Sequence, residues 1–224
     1  MKTIMSGLNK WMKERRLQRK DQLKGLIPNL LEELTEFSRA KTDEERIDAL
    51  CDMSVFSLNC LETFELEMDL DLMDQLLLMN KVWLQGNNDQ TNKFVLERLI
   101  KTFYLAIVRD TDIEAFVEVC FSAMRTYGYD PFKAMHETIK EISSRSGHFD
   151  PMINKFVKDQ GFYSLQEADE WAQLKWNGNQ DMWQTVEVTN DKGEVIGFKF
   201  IDDSENSEYD IYPLWYKADY SKAK

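Results

Sequence analysis

Cysteine is scarce in this chain: Cys51, Cys60 and Cys120 are the 3 in 224 residues. They are scattered, none belongs to a C-x-x-C pair, and each falls in an apolar stretch. That pattern argues against a disulfide framework and reads them as small buried hydrophobes in a reducing compartment. Histidine is scarcer still, and His136 and His148 have no partner spacing, so neither is assigned a role. No stretch approaches the roughly 18 apolar residues of a membrane span, and "MKTIMSGLNKWMKERR" contains no long apolar run of the kind found in export signals. The expectation is a cytoplasmic protein with no membrane partner. Positive charge is also short, with 28 Lys and Arg against 40 Asp and Glu, a net of −12. Stable nucleic-acid binding needs a basic surface to neutralise phosphates, and this balance argues against it. A small phosphorylated substrate stays possible if a metal supplies positive charge locally. There are no internal repeats and no low-complexity tract.

What is present is enough for one good-sized domain with an appendage: 26.5 kDa, 43% hydrophobic and 30% charged. Residues 6–20 read as a short basic helix carrying Trp11 and Leu17. Pro28 suits the first or second position of the next helix, which contains "NLLEELTEF". Asp43 is a plausible N-cap for a helix running from about Glu44 to about Glu67. Two or more helices follow between Asp69 and Val108, broken by "QGNNDQTN". "DIEAFVEVCFSAMRTYG" is helical up to Gly128 as C-cap, and "YDP" opens a helix that ends at Gly147. After about Gly161, "WQTVEVTNDKGEVIGFKFID" alternates β-branched and aromatic residues around "NDKG" and reads as a hairpin. The expected architecture is therefore all-α, a helical bundle over residues 1–160. A C-terminal appendage over 161–224 carries the β-hairpin and an aromatic, basic tail. Trp215, Tyr216 and Tyr220 in that tail have the rings to stack on a base, but the overall acidity favours docking onto the core or another subunit.

"LIPNLLEELTEF" raises the functional question, because it puts Glu32, Glu33 and Glu36 into an otherwise apolar helix. At about 100° per residue, Ile27, Leu30, Leu31, Leu34 and Phe37 define the buried arc. Glu32 falls opposite it, and Glu33 and Glu36 share an edge flanking it. Either these glutamates are the wet side of an amphipathic helix, or that edge faces something cationic. In the next helix, "IDALCDMSVFSLNCL", Asp48 and Asp52 are the charged residues, and apolar or small residues cover the remaining circumference. Asp48, Asp52 and Asn59, at i, i+4 and i+11, project within about 40° of one another. A buried carboxylate is costly unless it is paired or metal-bound. Two carboxylates about 4 Å apart repel by roughly 4 kcal/mol at an effective dielectric near 20. An ion pair with a basic residue from elsewhere in the fold is one solution, and a divalent cation is the other. Four oxygen donors suit Mg²⁺, with Mn²⁺ as a substitute.

Taken together, W-x-x-x-R (Trp11, Arg15), E-E-x-x-E (Glu32, Glu33, Glu36), "DALCD" (Asp48 to Asp52) and Asn59 resemble the all-α nucleoside triphosphate pyrophosphohydrolases. This is the superfamily of MazG, the dimeric dUTPases and phosphoribosyl-ATP pyrophosphohydrolase. The "DA-x-x-D" form is similar to phage and bacterial MazG-like members. "GYDPFKAMHETIKEISSRSGHFDP", "NKFVKD" and "WYKADYSKAK" look like later parts of such proteins. The stretch from about Asp69 to about Val108 is unmatched and resembles a helical insertion. The resemblance implies hydrolysis of a nucleoside triphosphate to monophosphate and pyrophosphate, with a homodimer or higher homo-oligomer. Glu33 and Glu36 map onto metal ligands, and one of them would take the proton of the attacking water. Asp52 maps onto a third ligand. The glutamate of the commoner E-x-x-D pattern falls on Ala49, so Asp48 would have to serve there, and a lysine common in the family is Asn29 here. Asn59 would read a base or sugar, and Lys140, Arg145, Lys155 and Lys158 would hold the leaving pyrophosphate. For those four cations the alternative is helix-end stabilisation and solvated lysines. The rival to the enzyme is a non-catalytic helical module that binds a nucleotide or a protein.

Overall fold

Helix starts and stops in this chain are written by a few capping side chains, and they place the carboxylates. The computed structural model describes residues 1–63, 88–109, 113–153, 155–175, 183–202 and 210–224. The described residues are mostly helical, with small antiparallel sheets. They form two compact units, Met1–Ile139 with Asp219–Lys224, and Lys140–Ala218. The part of the expected insertion at 69–87 lies outside the described residues.

In the first unit α1 spans Lys2–Glu14, earlier than the expected 6–20, because the chain turns at Arg16, which adopts a φ of 54°. α2 spans Arg19–Arg39, so Pro28 lies inside the helix rather than at its start. Pro28 is exposed, and the carbonyl that a proline leaves without its helical partner can be met by water there. α3 spans Asp43–Leu58. Its N-cap is Thr42, not Asp43: the Glu45 amide donates to Thr42 Oγ1 at 3.1 Å and the Thr42 amide donates to Glu45 Oε2 at 3.2 Å. Thr42 wins because Glu45 three residues on closes a reciprocal capping box, while Asp43, Glu44 and Glu45 favour the positive end of the helix dipole. α3 also ends at Leu58, well before Glu67, where the Asn59 and Cys60 amides bond back to Val55 and Ser57. α4 spans Asn88–Arg109 and α5 spans Ile113–Thr126. As expected, Gly128 stops α5: at a φ of 86° its amide reaches the Arg125 carbonyl and the Tyr129 amide reaches that of Met124. α6 spans Pro131–Ser144, its residues up to Ile139 belonging to this unit and those from Lys140 to the second, with Asp130 Oδ1 accepting from the Phe132 and Lys133 amides.

α3 is the central helix of this unit and packs against α1, α2 and α5. Ile47, Ala49, Leu50, Cys51, Met53, Val55 and Leu58 are buried, as a helix surrounded on most sides requires. The arc that α2 buries differs from expectation. Leu30, Leu34 and Phe37 are inside, but Ile27 and Leu31 are 43% and 51% exposed, and Glu33 is 8% exposed. The packed face is Leu30, Glu33, Leu34 and Phe37, at i, i+3, i+4 and i+7. Turning the helix this way carries Glu33 from the border into the interface with α3. Ile27 instead borders an apolar cavity of about 540 Å³ walled by Leu26, Leu30, Phe103 and Phe116.

In the second unit β1 (Gly147–Asp150) pairs antiparallel with β2 (Lys155–Lys158). α7 spans Leu165–Lys175. The expected hairpin is present as β3 (Trp183–Thr189) and β4 (Val195–Asp202), and β5 (Tyr212–Pro213) adds a third strand. Gly193, at a φ of 80°, closes the turn, where Asn190 Oδ1 accepts from the Lys192 and Glu194 amides. Phe162, Phe198 and Phe200 pack with Ala168 and Ala172 of α7 into a small aromatic core. Trp215 of the tail docks here, against Tyr163 and over Gly161, where a Cβ would meet its ring. No helix among the described residues is long and apolar enough to cross a membrane.

Candidate metal and nucleotide site

The α2–α3 hairpin sets two acidic edges side by side. Glu33 is the inner member, buried on the packed face of α2. Burial pushes its carboxyl up to about 8, and the charges that act on it most strongly are, in order, Asp52, Glu36, Asp48 and Glu32. Every one of these is another carboxylate. Two helices therefore focus negative charge onto one half-dry spot, which is the condition that favours either a held proton or a bound cation. Asp52 is half-buried, whereas Glu36 and Asp48 are exposed. Ala49 is 2% exposed, a core position, so Asp48 is the acid this chain offers one turn before Asp52.

Asp48 has a partner that sequence reasoning missed. The Tyr220 hydroxyl donates to Asp48 Oδ1 at 2.6 Å across 172 residues of sequence. Tyr220 Oη also lies 3.0 Å from Thr138 Oγ1. The sequence reads the tail as docking onto the core or another subunit, but nothing in residue spacing signals which residue Tyr220 meets. Close by, Glu44 accepts from Lys224 Nζ and from the Tyr129 hydroxyl, each at 2.9 Å. The Lys224 bond is the largest influence holding the Glu44 carboxyl down, to about 2.

Asn59 continues the direction of α3 as its C-cap residue, with helical dihedrals. It is 1% exposed, and among the described residues neither its amide nitrogen nor its amide oxygen has a hydrogen-bond partner. A buried amide with both edges unmet is costly, and a ligand that donates and accepts would satisfy it. Arg15 of the W-x-x-x-R pattern is 7% exposed, with its guanidinium 5.0 Å from the centre of the Trp11 ring.

The four cations expected at the pyrophosphate belong to the second unit. Arg145 is engaged there: its Nε donates to the Tyr163 hydroxyl at 2.7 Å and its Nη2 to Glu141 Oε1. Lys140 and Lys158 are exposed, and the Lys155 side chain lies outside the described residues. The three cysteines are free and buried, as read from sequence, with burial pushing the Cys60 thiol to about 11 and that of Cys120 to about 12.

The carboxylate oxygens of Glu33, Glu36, Asp48 and Asp52 are hard donors of the kind Mg²⁺ takes. Among the described residues, no three Asp, Glu, His or Cys side chains already stand close enough to enclose an ion. Comparison with protein-family models, with curated proteins and with solved structures finds no match. The functional reading rests on the residues themselves and on the motifs they compose.

Proposed function

We propose that this chain is a Mg²⁺-dependent nucleotide pyrophosphohydrolase of the MazG-like all-α type, cleaving a nucleoside or deoxynucleoside triphosphate to monophosphate and pyrophosphate. The observation that carries the reading is Glu33, buried between α2 and α3 and pushed up to about 8 by burial and by Asp52, Glu36 and Asp48. Glu33, Glu36, Asp48 and Asp52 are the residues that would hold the cation. When bound, Mg²⁺ neutralises phosphate oxygens and makes a coordinated water more acidic. Glu33 or Glu36, whichever carboxylate oxygen the cation leaves free, would take the proton of the attacking water. Asn59, whose amide is unmet among the described residues, is the residue that would read a base or sugar edge. The homodimer implied by the resemblance belongs to the same proposal.

One observation favours the rival, a non-catalytic module that binds a nucleotide or a protein. Ala49 lies in the core where the commoner family pattern has a glutamate ligand. The two readings part in a single experiment. The chain is incubated with a panel of ribo- and deoxynucleoside triphosphates, with Mg²⁺ and with chelator, and pyrophosphate release is followed. The enzyme releases pyrophosphate from at least one of them only when Mg²⁺ is present. Turnover that is absent across the panel, or indifferent to chelator, overturns the proposal.

A further inference from the structure

Asp48 is exposed on α3, and an exposed aspartate ordinarily samples several rotamers. Here it is tied to a buried group. Tyr220 is 6% exposed, and its hydroxyl donates to Asp48 Oδ1 at 2.6 Å, within the range of charge-assisted hydrogen bonds. The phenol is itself held. Its oxygen lies 3.0 Å from Thr138 Oγ1, and with the phenol proton on Asp48 the Thr138 hydroxyl is the donor of that contact, sharing its proton with the Ala134 carbonyl 3.2 Å away. The segment carrying it, Asp219–Lys224, is pinned on several sides. The Asp130 amide donates to the Ala223 carbonyl at 2.7 Å, Lys224 Nζ donates to Glu44 Oε1 at 2.9 Å, and the Asp219 amide donates to Glu137 Oε2 at 3.3 Å. These anchors lie on the first turn of α3, on the α5–α6 connection and on α6.

A buried tyrosine needs a hydrogen-bond partner, and Thr138 alone would satisfy that need. The reach to Asp48 goes further than burial demands. We propose that Tyr220 is a positioning residue: the folded-back segment Asp219–Lys224 fixes the Asp48 carboxylate in one orientation and thereby completes the cation site. This inference rests on the Mg²⁺ reading above. It also accounts for how an aspartate can serve beside Ala49. The shorter side chain, set one position away from the usual glutamate, is aimed by a phenol instead of by its own packing. Groups that orient a metal ligand through a hydrogen bond typically change metal affinity by about 10- to 100-fold when removed.

The test is Mn²⁺ binding to the whole chain, followed by electron paramagnetic resonance, for wild type, Tyr220→Phe, Asp48→Ala and the double variant. Tyr220→Phe keeps the ring and its packing and removes only the hydroxyl. Circular dichroism in chelator checks folding independently of metal. The expected result is a Mn²⁺ dissociation constant about 10-fold higher in Tyr220→Phe, and no further increase when the same change is made in the Asp48→Ala background. Equal affinity of wild type and Tyr220→Phe overturns the positioning role and leaves the cation site standing. An equal loss in the Asp48→Ala background also overturns it, because the phenol would then act through another group. Failure of wild type to bind Mn²⁺ removes the cation site and the inference together. If Tyr220→Phe does not fold, Thr138→Val takes its place. A weaker affinity in the same direction supports the role, and no change refutes it.

Discussion

Among the described carboxylates Glu33 is the one raised furthest by burial and by neighbouring charge, and that shift has a sign that can be measured. Its carboxyl stands at about 8 against an ordinary 4.5, so between those values the folded chain binds more protons than the unfolded one. The contribution to stability is fully present below about pH 4.5 and is lost as pH rises through about 8. In chelator, the melting temperature of wild type should fall more between pH 5.5 and 8.5 than that of Glu33→Gln, with Glu33→Gln the more stable at the alkaline end. Parallel pH dependences for the two proteins would mean that Glu33 titrates normally. Asp52 is the charge that acts most on Glu33, so Asp52→Asn should lower the Glu33 carboxyl and also remove a cation ligand. We expect it to reduce pyrophosphate release to background while leaving far-ultraviolet circular dichroism unchanged. Full activity in Asp52→Asn would mean the site is elsewhere. The acids themselves were legible from residue types and helical spacing. Glu33's depth was not, because helical periodicity gives an arc but not how far a partner helix rotates it. Ile27 and Leu31 proved exposed and Glu33 buried for that reason.

At the scale of elements, α3 holds the account together, since it carries Asp48 and Asp52 on one side and core side chains on the others. Its start is fixed by the Thr42–Glu45 capping box. Thr42→Ala should therefore cost about 1 kcal/mol of stability, read in a denaturant melt, and loosen the turn that bears Glu44. A change under about 0.3 kcal/mol would show that packing alone sets the helix start. The cap was misread from sequence as Asp43 because both residues are good caps. The distinguishing signal, a glutamate three residues after the threonine, was present in "TDEE". The helix end was harder to read. The apolar run continues past Leu58, and only the local turn at Asn59 and Cys60 closes it. The stop at Gly128 and the β3–β4 hairpin were read correctly because glycine with a positive φ and the "NDKG" turn are short-range signals.

At the scale of the molecule, sequence supplied the class, mostly helical with a small antiparallel sheet, but not the long-range closures. Local pattern can propose two helices that share acidic edges. It cannot show that Tyr220 returns to Asp48, or that Arg145 is engaged by Glu141 and Tyr163. The central claim is that four carboxylates of the α2–α3 hairpin form one cation site. Calorimetric titration of the chelator-treated chain with Mg²⁺ at neutral pH tests it most directly. The account predicts saturable binding with uptake of heat or release of heat above dilution, abolished by Asp52→Asn and by Glu33→Gln. Heats no different from dilution, or a binding isotherm that both substitutions leave unchanged, would contradict it.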